Sequence, residues 1–220
     1  MITAESTKKG TGIQIWGDYG DLTFLYETVS KLMLTEEDTQ NKYVIARGRL
    51  ISFFCYELRH AYQGDRDLKS VCYTEQESPY LGFKIDWITY IVTLSCLRDN
   101  MCMITINELD IAHIRLLEFW GKQAMRSFDE KGAALLEKYI DVGILTNEYV
   151  YLIHQQLVRK YYQNKPTVSR FRNISKVLYD FYVYSKNKQI LKAQIKADAD
   201  RLKCDLNELE LPYEDIDFEW

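Results

Sequence analysis

The segment Tyr56–Arg66, YELRHAYQGDR, gathers a glutamate, two arginines, a histidine and an aspartate within eleven residues. Glu57 and His60 are three apart, so on a helix they share a face. That is the Glu-x-x-His spacing used by carboxylate-bridged di-iron bundles. Such a centre needs a second pair and two further glutamates. The chain holds three histidines, and neither His113 nor His154 has a glutamate three positions before it. The segment therefore reads as the polar edge of a helix with local ion pairs, in which Arg59, Asp65 and Arg66 are expected to close a small buried network. No metal and no other cofactor is expected.

Other chemistry is thinner. His113 lies between Leu109 and Leu116 on an apolar stripe, where a hydrogen-bonded core histidine is the ordinary outcome; His154 has no better case. GTGIQIWG has the wrong glycine spacing for a phosphate cradle, and no nucleophile elbow or HExxH is present. Asp18 and Asp21 in GDYGD are explained by turn formation and helix capping. Cys55, Cys72, Cys96, Cys102 and Cys204 are scattered with no CxxC pair, as expected of reduced thiols in a core.

Charge is unevenly spread beneath a net value of −4. Residues 159–197 hold ten basic residues and one acidic, whereas 198–220 hold two basic and nine acidic. A helix would align Lys188, Lys192 and Lys196 on one face and Arg172 and Lys176 on another row, a strip able to follow a phosphate backbone or another anion. The competing reading is a solvated face, because Phe171, Ile174, Leu178 and Phe181 fit a buried stripe by themselves. The acidic-aromatic tail, ELELPYEDIDFEW, either lies across the basic helix as a counterion or serves as a docking peptide.

The elements that must position these groups are mostly helical. Ile13 and Ile15 alternate with Gln14 and Trp16 in an opening β-hairpin. Helices are expected over 22–34 with Asp21 as N-cap, from Thr35, over 50–63, after Asn107, after a Ser127–Glu130 capping box, over 148–163, and from Thr167 to about Cys204 with a bend near Ser185. Lys69–Thr74 suggests a short strand, and Trp87–Leu97 fits helix or buried strand, with helix favoured. The fold class is mainly α, a multi-helix single domain over 1–220: hairpin 1–20, helical body 21–204, tail 205–220.

The stretches GIQIWGDYGDLTFLYE and YELRHAYQGDR resemble parts of a helix-rich bacterial protein family of unknown function. The resemblance implies a bacterial cytoplasmic origin and no activity or site residue. MITAESTKKG lacks the apolar core of a signal peptide, and the longest apolar run is too short to span a bilayer, so a cytoplasmic protein without a membrane role is expected. The leading functional reading is a non-enzymatic interaction module for an unknown protein partner or for self-association. Nucleic-acid association through 159–196 stands second, and an enzyme built around Glu57, Arg59, His60 and Asp65 third.

Overall fold

Alternating apolar residues near the start produce a hairpin, in which β1 (Thr3–Ser6) pairs antiparallel with β2 (Gly12–Gly17). The turn depends on Gly10, whose φ of 68° is left-handed and whose missing Cβ leaves the space that the Phe128 ring occupies. The computed structural model describes residues 1–35, 37–73, 76–209 and 218–220, with backbone alone at 72–73 and 76–78. Within it the hairpin belongs to a four-stranded antiparallel sheet of order β1-β2-β4-β3, where β3 is Asp67–Tyr73 and β4 is Gln76–Asp86.

Register shapes the sheet's far side. β4 pairs with β2 over 81–86 and with β3 over 76–82, so β3 and the first half of β4 run past β2 as a two-stranded arm. Pro79, which has no amide hydrogen to donate, lies in that arm beyond the last β2 pairing. One face of the sheet is apolar: Ile13, Ile15, Phe83 and Ile85 are almost wholly buried, and Phe83 meets Phe54 edge-on at 5.5 Å. Glu5, Gln14, Trp16 and Lys84 line the other face.

Among the described residues eight helices follow the pattern of the apolar residues. α1 (Tyr19–Leu32) buries Leu22, Leu25, Val29 and Leu32, and α2 (Lys42–Tyr62) lies against it and against β4. α3 (Trp87–Met101) starts directly from β4, and every residue from Trp87 to Leu97 is buried. It packs against α1, α2, α4 (Glu108–Phe128), α5 (Glu130–Asp141), α6 (Val150–Tyr162) and α7 (Val168–Tyr179). A helix enclosed on all sides has no polar face to reveal its period, which is why its sequence fits a strand equally well. α8 (Lys186–Leu202) packs on α6, and α4 packs against β1.

The mainly helical class with a minor sheet is as expected, but several elements differ. The short strand expected near Lys69 is β3, but its partner β4 is unexpected, because Pro79 and Gly82 disguise it as loop. Thr35 opens a single turn closed by Asp38, and the helix begins only after Asn41. Asp18 caps α1 while Asp21 supplies the reciprocal bond, and Asp129, not Ser127, caps α5. The expected bend at Ser185 is a full break, since Ser185 is the N-cap of α8.

Candidate functional site

α2 ends in a tight reversal. Gly64 takes a φ of 85° and the Asp65 amide donates to the His60 carbonyl at 2.9 Å, folding Asp65 and Arg66 back onto the helix. Arg66 then donates to both Glu57 oxygens, at 2.7 and 3.2 Å, and His60 Nδ1 lies 3.0 Å from Asp65 Oδ2. The Tyr56 ring sits 4.3 Å from His60, with the Arg59 and Arg66 guanidinium carbons 5.6 and 5.7 Å from its centroid. Tyr62 extends the group, with Tyr26 and Tyr19 edge-on to it.

All five residues singled out by the sequence are therefore gathered, Arg59 through the Tyr56 ring, but none is fully buried: Arg59, Asp65 and Arg66 are exposed, and Glu57 and His60 are half-buried. The Glu57 bonds raise the Arg66 pKa and engage both carboxylate oxygens. Among the described residues no group of three or more His, Cys, Asp or Glu is placed to hold a metal. Tyr19 and Tyr56 are 64% and 46% exposed, so the arrangement presents aromatic rings and guanidinium groups outward, the side chains that dominate protein interfaces.

β3 starts where this cluster stops. On the sheet's outer face Asp67 accepts from Gln14 at 2.9 Å and Lys84 at 3.0 Å, and Lys69 lies 4.1 Å over the Trp16 ring. The Trp16 ring rests where a Cβ on Gly82 would be and donates to Glu5 at 2.8 Å. Leu68, on the opposite face, is 66% exposed. β4 flanks β3 on one side and no described strand flanks it on the other.

The basic strip does not assemble as one surface. Arg172 forms a two-pronged pair with Asp129 at 2.7 and 2.8 Å, which lowers the Asp129 pKa. Lys188 is buried and donates to the Phe181 carbonyl, and Lys192 lies 4.3 Å over the Tyr149 ring. Lys176 and Lys196 are exposed. The described tail carboxylates pair elsewhere: Asp205 with Lys42 at 2.9 Å, and Glu219 with Lys9 at 2.6 Å. The intervening tail carboxylates, within 210–217, lie outside the described residues.

A second polar group is assembled from remote segments. Asp86, the last residue of β4, caps α3 by accepting from the Ile88 and Thr89 amides at 3.0 Å each. Thr89 Oγ1 is 2.8 Å from His154 Nε2, while His154 Nδ1 has no hydrogen-bond partner among the described residues. Tyr162 faces Asp86 and its hydroxyl donates to the Thr11 carbonyl at 3.2 Å. Arg170 donates to Thr11 Oγ1 at 2.7 Å and to the Asn164 carbonyl at 2.6 Å. Burial raises the Asp86 pKa, pushes Tyr162 well above its ordinary value and lowers His154 to about 3, keeping that imidazole neutral.

This buried chain ties the β4–α3 junction to α6, α7 and the first hairpin, with every charged or polar member shielded from water. Sequence reading missed it because its members are as far apart as Thr11 and Arg170. The one local signal was Asp86 standing immediately before WITYIVTLSCL, an N-cap position. His113, by contrast, is half-buried as a hydrogen-bonded residue, 2.8 Å from Thr28 Oγ1, with burial lowering its pKa.

A family model described as a domain of unknown function, DUF6904, matches residues 2–220. No curated protein and no solved structure matches the chain. No described helix is long and apolar enough to cross a membrane.

Proposed function

We propose that this chain, which belongs to that family, is a non-catalytic interaction module that takes an extended segment of a protein partner along β3. The observation carrying this reading is the outer edge of β3, on which no described strand pairs, continuous with the aromatic and arginine cluster at the end of α2. A strand edge offers a row of backbone donors and acceptors, which supplies affinity for any extended peptide. Leu68, Tyr56, Arg59 and His60 beside it supply side-chain selectivity. The occupied Glu57 carboxylate and the solvent exposure of the cluster favour binding over acid–base chemistry. The nucleic-acid reading loses Arg172, Lys188 and Lys192 to contacts within the chain.

A displayed library of extended peptides tests the proposal. Peptides enriched on the wild-type chain should lose about tenfold or more in affinity when Leu68→Lys and Arg59→Glu are combined, as expected for residues at the centre of an interface. Hydrogen exchange should slow at β3 amides on peptide addition. No enrichment on the folded wild-type chain, or binding indifferent to both substitutions, would overturn it.

A further inference from the structure

The segment 218–220 is held in a way that suits a ligand. The Phe218 ring packs on Tyr162 at 5.1 Å and stacks on Trp220 at 5.0 Å. Between these rings the Glu219 carbonyl accepts from Thr11 Oγ1, and the Glu219 carboxylate meets Lys9 at 2.6 Å. Thr11 is 1% exposed and its hydroxyl is fixed from behind by Arg170, itself 8% exposed. Lys9, Arg170 and Lys165 all help lower the Glu219 pKa, so the surroundings favour an anion.

These contacts divide the work as peptide sites do. A buried, prepositioned hydroxyl reads a backbone carbonyl, an aromatic ring selects an aromatic side chain, and a lysine selects a carboxylate. The lysine–glutamate pair is about half exposed on both sides, 48% and 52%, so it is screened and contributes little to holding the segment permanently. Fastening is firm in geometry and weak in electrostatic energy, which permits exchange.

We propose that Lys9, Thr11, Tyr162 and Arg170 form a binding site for an acidic peptide in which a glutamate is flanked by aromatic residues, and that residues 218–220 occupy it in cis as a resident competitor. The ligand is such a segment of a protein partner. The site is separate from the β3 edge and does not depend on the reading given to that edge. A tethered competitor acts at an effective concentration on the order of millimolar, so an incoming peptide gains access when the segment is withdrawn or outcompeted.

The experiment uses the full chain with Phe218→Ala and Glu219→Lys, which vacates the site, and a fluorescein-labelled peptide of residues 214–220 as probe. The probe should bind the vacated chain at least about tenfold more tightly than the wild type. Adding Lys9→Glu should weaken binding about fivefold, the scale of an exposed ion pair, and a probe carrying lysine in place of Glu219 should recover it. Equal binding to wild-type and vacated chains, or no binding to a vacated chain whose cooperative unfolding matches the wild type, would overturn the proposal. If the vacated chain does not fold, excess unlabelled peptide added to a wild-type chain carrying fluorotryptophan should shift the fluorine resonance of the chain's own Trp220; an unchanged resonance at saturation would also overturn it.

Discussion

His60 bonds Asp65 directly, whereas His154 bonds Thr89, whose amide is held by Asp86, and the two surroundings impose opposite behaviour. Around His60 the partners come from one turn of chain, the groups face water, and each ion pair competes with solvent and salt. Around His154 the partners come from β4, α3, α6 and α7, water is excluded, and each hydrogen bond replaces solvation that the group cannot otherwise recover. The first arrangement can be altered piecemeal and is suited to meeting a partner. The second fixes how distant segments join and tolerates little change.

The sharpest test of that contrast is Asp86→Ala. It leaves the two buried amides of α3, Ile88 and Thr89, without their acceptor, and should cost about 2–4 kcal/mol in denaturant unfolding. A loss below about 1 kcal/mol, the value for an exposed cap, would erase the distinction. His154→Phe addresses the same region through pH. Because the folded histidine titrates near 3 and the unfolded one near 6.5, the wild type loses stability as pH falls from about 6.5 towards 3, by up to one proton's worth of slope. The phenylalanine chain should lack that component, so the two stability curves converge at low pH; parallel curves would mean that His154 is not buried in neutral form.

Asp86 works in the other direction. Its raised folded pKa gives stability that is present at acid pH and lost as pH rises through that value. The stability of Asp86→Asn relative to wild type should therefore improve with rising pH, which a pH series of melts would detect. Arg172→Ala, which strips a half-exposed partner from Asp129 while sparing its cap to Gly132, should lower stability only slightly, and by less as salt is added. Smallest is Glu57→Ala at the surface cluster, about 0.5 kcal/mol in stability, with its effect falling instead on peptide capture along β3. A stability cost equal to that of Asp86→Ala would show the surface cluster to be structural.

The sequence made visible whatever is local. The stripe of α1, the Asn107 cap of α4, the Gly64 reversal and the meeting of Glu57, Arg59, His60, Asp65 and Arg66 all depend on residues a few positions apart. β4 was hidden because strand pairing is a relation between distant segments, and a proline and glycine masked its alternation. The strip of Lys188, Lys192 and Lys196 misled because four-residue spacing specifies a helix face without saying what covers it. Here Phe181 and Tyr149 do. The buried chain from Thr11 to Arg170 had no spacing to read at all.

The helix α4 lying against β1 sets a limit on assembly. In the proposed binding mode α4 packs against β1 at one margin of the sheet, and β3 is the margin on which no described strand pairs. A complex formed in that proposed mode is expected to be one to one and to terminate, since a single margin would serve as the acceptor for the added strand.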